Sequence, residues 1–352
     1  MTTLLRPGCA HSACLAALAA LALVTPARAR QTVHKLPASP ATIAFGHYDP
    51  AKPAVLRVRS GDIVEVETML TNSPQGLERA GLPPEQVQQN LRDIYAQVTD
   101  RGPGGHILTG PIYVEGAEPG DAIEVRILEI GLPIDYGYNG CSGFIRELCG
   151  DARTRILRLD RQRMTSEFAP GIVIPLRPFF GSMGVAPPAD TGRISSNPPW
   201  IHAGNLDNKE LVAGTSLTIP VHVPGALFEV GDGHAAQGDG EVNQTAIETS
   251  LTGRLQFILH KGMKLEWPRA ETPTHWITMG THKDLTEATR IAVRQTVVFL
   301  QEKGLSQADA YRLVSIACDL RITELVDGNV GVHVMIPKSI FTGSRQRTGG
   351  PG

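Results

Sequence analysis

Long runs of one charge are missing from this chain. Its 33 Lys and Arg and 35 Asp and Glu leave a formal charge of -2, and no five consecutive residues share a sign. That pattern excludes a polybasic footprint for nucleic acid or for an anionic membrane surface, and it suits a small, weakly charged partner. Aromatic residues are also scarce, at 5%. Only one apolar run is sustained, from Ala13 to Val24, and it falls short of the roughly 18 residues a membrane span needs. Arg6 precedes this run and Thr25-Pro26-Ala27-Arg28-Ala29 follows it, the order of an export leader with an A-x-A cleavage site. Cleavage is expected after Ala29, with a periplasmic or secreted mature protein. No Leu-x-x-Cys stands at that site, so a lipid anchor is not expected.

Cysteine is sparse too. Of five, Cys9 and Cys14 lie in the leader, leaving Cys141, Cys149 and Cys318. The first two share one glycine-rich loop, where an oxidising compartment allows a short ring; whether they bond is left open by the sequence. Cys318 sits in the apolar pattern LVSIACDL, which points to a buried, inert thiol.

Glycine and proline, by contrast, are plentiful, at 37 and 26. Between them lie short alternating apolar segments, so the chain reads as mostly β, a β-rich α+β protein. Val55, Leu56 and Val58 lead through Ser60-Gly61-Asp62 to Ile63, Val64 and Val66. Ile112 and Val114 lead through Pro119-Gly120-Asp121 to Ile123, Val125 and Ile127. The repetition suggests two related hairpins. Residues 131–199 read as an irregular region wrapping a sheet, with strands returning at 216–223, 226–230 and 254–259. Regular helix is expected only late: Asp284 with Glu287 resembles a capping box, the helical period runs to Gly304, and Ser306 with Asp309 opens a second helix before a last strand at 332–336. After the leader, residues 30–352 form one catalytic unit, with a β-rich part over about 45–225 and the site loop and C-terminal α+β part over 226–341.

The stretch Gly231 to Glu241, GDGHAAQGDGE, offers little to a core and much to chemistry. Its glycines permit close backbone approach, and Asp232, His234, Asp239 and Glu241 supply ligands and proton carriers. A solvated turn is the plain alternative.

Six strings, HILTGPIYVEGAEPGD (106–121), RPFFGSMGVAPP (177–188), HAGNLDNKELVAGT (202–215), GALFEVGDGHAAQGDGEV (225–242), PTHWITMG (273–280) and GVHVMIPK (331–338), resemble in order those of the acetamidase/formamidase family. The resemblance implies hydrolysis of short primary amides to a carboxylate and ammonia. It also implies a jelly-roll-like sandwich with barrel-like and α+β parts, a homo-oligomer, and a divalent metal, zinc first and calcium as a second ion.

Elementary chemistry leads the same way. An amide is a poor electrophile and water a poor nucleophile, and a metal addresses both by polarising the carbonyl and acidifying a bound water. Asp232 and His234, two apart, share a face if extended and can grip one ion. Asp207 is the leading further ligand, with His202 and His106 behind it. Glu241 is placed as general base, with Asp239 able to share that role. Gly181 and Ser182 read as part of a backbone turn offering N–H groups to an oxyanion; Ser182 lacks a neighbouring base. Gln237, His275 and His106 complete the candidate pocket, and the Thr278-Met279-Gly280 turn is expected to shape an acyl site. His333 is expected to be packed and His282 solvated. The rival readings are a non-catalytic β-sandwich binding calcium, against which the imidazole of His234 speaks, and a cupin-like redox enzyme, which would want more histidines.

Overall fold

The computed structural model describes residues 1–4 and 31–343. The leader expected over residues 1–29 therefore falls almost wholly outside the described residues.

The chain is mostly β, as its alternation implies. Two large sheets dominate. A nine-stranded sheet runs, in spatial order, Val33–Leu36, Ile63–Glu67, Thr252–His260, Ala122–Gly131, Thr215–Pro220, Arg269–Glu271, His275–His282, Val330–Pro337, Asp319–Glu324. A six-stranded sheet runs Ala203–Asn205, Phe179–Gly184, Phe228–His234, Ile107–Val114, Ile43–Phe45, with Leu56–Val58 also pairing Ile107–Val114. Among the described residues neither sheet closes into a barrel.

The main core lies where the two sheets face each other. Val64, Val125, Leu217 and Phe257 come from the larger sheet, and Ile112, Met183, Phe228 and Val230 from the smaller. Phe228 meets Phe257 edge to face at 5.2 Å between ring centroids, a contact that adds about 0.5–1.5 kcal/mol to the area buried.

The two Gly-Asp turns do share a device, though they do not make hairpins. Gly61 and Gly120 both take positive φ, 100° and 93°. Asp62 accepts from the Arg59 amide at 3.0 Å, and Asp121 from the Glu118 amide at 2.8 Å. Each turn carries the chain from one sheet to the other: Leu56–Val58 pairs in parallel with Ile107–Val114, while Ile63–Glu67 and Ala122–Gly131 flank Thr252–His260. Alternation predicts strands but is silent on which strand is the neighbour.

Helix is not confined to the C-terminal part. Helices α1 (Pro74–Arg79) and α2 (Gln89–Gln97) come early, and their apolar residues Leu77, Leu91 and Ile94 close a second core with Ile43 and Phe45. Both are short and carry few apolar positions, which hid them in the periodicity. The two late helices match expectation. In α3 (Leu285–Glu302) the Asp284 side chain accepts from the Glu287 amide, and in α4 (Gln307–Ala317) Ser306 accepts from the Asp309 amide. Helix α3 lies so close to its sheet that a methyl group on Gly280 would meet the Ala292 amide nitrogen at 2.5 Å. The expected Thr278-Met279-Gly280 turn is thus strand interior, flattened for a helix to sit on.

Candidate active site

The site forms at one end of the smaller sheet. Phe228–His234 runs antiparallel to Phe179–Gly184, with Phe179 opposite His234 and Ser182 opposite Gly231, and antiparallel to Ile107–Val114 on its other side. The C-terminal end of the central strand therefore carries Asp232 and His234 beside Gly181 of one neighbour and His106, just before the other. Ala203–Asn205 pairs with Phe179–Gly184 and delivers Asp207 to the same end. The Gly231–Glu241 stretch is thus a buried strand end followed by a turn. Its glycines have a packing reason: a methyl on Gly231 would meet the Ile107 carbonyl at 2.4 Å, and one on Gly233 the Thr249 carbonyl at 2.5 Å.

Four buried carboxylates, Asp207, Asp232, Glu241 and Glu248, converge on the buried imidazole of His234, and a fifth, Asp327, lines the same cavity. His234 Nε2 stands 3.2 Å from Asp232 Oδ2, 3.2 Å from Glu248 Oε2 and 4.0 Å from Glu241 Oε1. Asp207 Oδ1 lies 3.8 Å from Nδ1. Gly181 is the floor beneath them, since a methyl group there would meet Asp207 Oδ1 at 2.4 Å and Asp232 Oδ2 at 2.6 Å. Asp207, Asp232 and Glu241 all take positive φ, 48°, 54° and 41°, a conformation that side chains other than glycine rarely adopt. Backbone strain of that kind concentrates at functional sites.

Gln237 fixes the imidazole. Its Nε2 donates to the Asp207 carbonyl at 2.7 Å, so its Oε1 must accept from His234 Nδ1, 2.8 Å away. In the neutral ring the free lone pair then sits on Nε2, facing the carboxylates. Asn205 donates to Asp207 Oδ2 at 2.6 Å and to Asp327 Oδ2 at 3.0 Å, and Gln244 donates to Asp327 Oδ1 at 2.6 Å. At the rim, His106 anchors Nδ1 on Ser196 and brings Nε2 to 3.8 Å from Asp232.

The charge balance is unusual. Burial raises the carboxyls of Asp207, Glu241, Glu248 and Asp327 above the ordinary range; Glu241 and Asp232 push Asp207 further, and Glu248, Asp327 and Asp232 push Glu241 further. Burial also opposes ionisation of Asp232, but His234 and His106 outweigh it and hold that carboxyl low. For His234, burial disfavours the cation, yet Glu248 and Asp232 hold its pKa well above the usual value. Even so, Asp207 Oδ1, Glu248 Oε2 and His234 Nε2 are buried without a hydrogen bond. Two sets of donor atoms lie within 4.8 Å of one another: Asp207, His234 and Glu241, and Asp232, His234 and Glu248. An excess of buried carboxylates around one unbonded imidazole nitrogen is the donor chemistry of a divalent cation site.

A family model described as the acetamidase/formamidase family matches residues 34–197 and 194–343. The chain belongs to the acetamidase/formamidase family. An acetamidase of Mycolicibacterium smegmatis is 30% identical, the match covering 59% of this chain and 72% of that one. A formamidase of Methylophilus methylotrophus is 27% identical, over 55% of this chain and 58% of its own length. Among solved structures, a predicted acetamidase/formamidase of Thermoanaerobacter tengcongensis superposes with a TM-score of 0.75 at 27% identity, covering 88% of this chain and 97% of that one. Membership of the acetamidase/formamidase family makes the chain an amidase, an enzyme that hydrolyses a carbon–nitrogen amide bond.

The remaining sequence candidates fall in different places. Asp239 is exposed, paired with Lys209 at 3.1 Å, and faces a second cavity of about 490 Å³ on the outer side of the Gly238–Val242 turn. His202 is fully buried against the Tyr48 ring at 4.8 Å with neither ring nitrogen bonded; burial lowers its pKa to about 3, and it is in neither set of converging donors. Ser182 lies inside a strand, its hydroxyl 2.9 Å from that of Tyr48, with no base beside it. His275 opens a strand of the larger sheet, its Nδ1 on Thr274, and lines neither cavity. His333 is buried with Nδ1 on Thr323 Oγ1 at 2.8 Å, and His282 is exposed. Glu248, Asp327 and Asn205 were missed by sequence reasoning. Glu248 follows a polar stretch with no glycine signature, and Asp327 arrives from the turn between the last two strands, nearly eighty residues further along.

Proposed function

We propose that the protein is an exported, metal-dependent hydrolase of small primary amides of the formamide or acetamide kind. The observation that carries this reading is the set of unbonded, buried, converging atoms of Asp207, His234 and Glu248 over the Gly181 floor. Asp232, His234 and Glu248, one of the two sets of converging donors, would hold a divalent cation, with Asp207 beside them across the Gly181 floor and zinc the best match to imidazole plus carboxylates. Such an ion polarises the amide carbonyl and makes water acidic enough to attack near neutral pH.

The chain's own residues do the rest. Gln237 keeps His234 Nε2 turned to the cluster, and Asn205 holds Asp207 and Asp327 in register. Glu241, standing furthest of the three carboxylates from Nε2 and with its proton affinity raised by burial and its neighbours, is suited to carry a proton. It takes one from the attacking water as oxygen bonds to the carbonyl carbon. It then delivers that proton to nitrogen as the carbon–nitrogen bond breaks and ammonia leaves. The cavity over the cluster holds about 170 Å³, below the usual range for drug-sized ligands, which favours a substrate of few heavy atoms. Export is supported by the leader pattern together with the Cys141–Cys149 disulfide, a bond suited to an oxidising compartment.

Purified mature protein should release ammonia from formamide or acetamide. It should lose that activity with a chelator, regain it with zinc, and lose it in Glu241→Gln with the metal still bound. Full turnover in a metal-free sample would sink the proposal.

A further inference from the structure

The turn that carries Glu241 is braced from two sides. Glu241 and Gln244 both take positive φ, 41° and 79°, and within the turn the Gln244 amide bonds the Glu241 carbonyl at 3.0 Å. One side leans on the C-terminal part, where Gly240 exchanges backbone hydrogen bonds with Thr323 and Leu325 at 3.0 Å each. The other side leans on the loop that Cys141 and Cys149 close.

That second contact is dense. The Ser142 amide donates to the Asn243 carbonyl at 3.2 Å and the Phe144 amide to the Val242 carbonyl at 2.9 Å. Gly143 lies flat on the same backbone, where a methyl group would meet Asn243 and Val242 atoms at 2.6 Å. Just before the ring, Asn139 donates to the Ala246 carbonyl at 2.8 Å and accepts from the Asn243 side chain at 3.1 Å. The ring itself has almost no core: Phe144, Ile145 and Leu148 are all exposed. Beyond these contacts with the Glu241 turn itself, the disulfide is the main tie on residues 142–144.

We propose that the Cys141–Cys149 ring is a positioning element for Glu241, pressing on Val242 and Asn243 so that the strained turn keeps the carboxylate over the cluster. This rests on the reading of Glu241 as proton carrier, and it makes turnover dependent on an intact disulfide. Opening the ring with dithiothreitol passes two electrons and two protons to Cys141 and Cys149, giving two thiols and one cyclic oxidised dithiothreitol. Cys318 is buried and stays out of the exchange.

The test compares the native protein with its dithiothreitol-reduced form and with Cys141→Ser/Cys149→Ser, measuring amide hydrogen exchange and steady-state kinetics. Expected are at least tenfold faster exchange at residues 242–246 with no change in α3, a kcat lowered at least tenfold, KM within about twofold, and recovery on reoxidation. Unchanged exchange at 242–246 overturns the proposal. So does full kcat with the ring open, or equally faster exchange in α3, which would mean general loosening. Because exchange is read without substrate, it still decides the mechanical link if the protein turns over no amide, a result that would count against the proposed function instead.

Discussion

Replacing Gly181 by alanine tests the site with the smallest possible change. The backbone at this position allows any residue, since its φ is not positive, so only the added methyl group matters. That carbon would stand 2.4 Å from Asp207 Oδ1, 2.6 Å from Asp232 Oδ2 and 2.9 Å from His234 Cε1, against an ordinary contact beginning at 3.4 Å. Restoring contact requires movements of about 1.0 Å (3.4 minus 2.4) at Asp207 and about 0.8 Å (3.4 minus 2.6) at Asp232. Overpacking of this kind costs about 1–3 kcal/mol, so the fold should survive with a modestly lower melting temperature. A 1 Å displacement of reacting or liganding groups costs on the order of 100-fold in rate. Gly238→Ala is the matched control, because no atom lies within 4 Å of the carbon it adds. Ammonia release and metal content, measured on both variants, should show Gly181→Ala depleted in metal and slowed about 100-fold, with Gly238→Ala like the parent. Near-parental turnover in Gly181→Ala would refute the placement of the cluster.

Other consequences are equally direct. Gln237→Leu removes the acceptor that orients His234, and should weaken metal binding or turnover by roughly 10–100-fold, read by a competitive chelator titration. Ser182→Ala should keep turnover within severalfold and lose about 1 kcal/mol of stability, since its hydroxyl serves only Tyr48; an inactive, stable variant would reopen the question of a serine nucleophile. The metal-free protein should lose stability as pH rises above about 7, where His47, His202, His222 and His333, whose pKa values burial lowers, are neutral both folded and unfolded and no longer offset the loss. Asp207, Glu241, Glu248 and His234 bind protons more tightly when folded, so their stabilising contribution fades as pH climbs through their raised values, with Glu324, pushed to about 8 by burial, adding to the loss up to that pH. Asp232, held low, works in the opposite sense only at acid pH. Scanning calorimetry between pH 7 and 8.5 should therefore show a falling melting temperature without metal and a smaller fall with zinc; a rise in the metal-free sample over that window contradicts the charge balance.

Much of this was legible in the chain. Alternation marked the strands, and Asp284 with Glu287 and Ser306 with Asp309 marked two helix starts, because capping is a local interaction between residues three apart. The grouping of Asp232 with His234 was expected from a spacing of two, although Asp232 itself leaves the extended backbone at φ 54°, and Gly231 and Gly233 announced the close approach of neighbouring strands. Misreadings occurred where the deciding partner is distant. Phe179–Gly184 reads as a glycine-rich turn until its neighbours on both sides are known, and Thr278 to Gly280 reads as a turn until α3 is laid on it. The two Gly-Asp segments read as hairpins although each crosses between sheets.

By itself, then, the sequence determined a mostly β chain with a C-terminal helical pair, one acidic histidine-bearing segment, and enough family motifs to name its chemistry. Tertiary structure alone decided which carboxylates surround His234. Glu248 arrives through a bridge opposite His234, Asp327 through the turn after Asp319–Glu324, and Gly181 through strand register. The physical reason is one of range. Periodicity and capping act over a few residues, whereas the affinity of a buried carboxylate for a proton or a cation depends on every charge within a few ångströms, whatever its place in the chain.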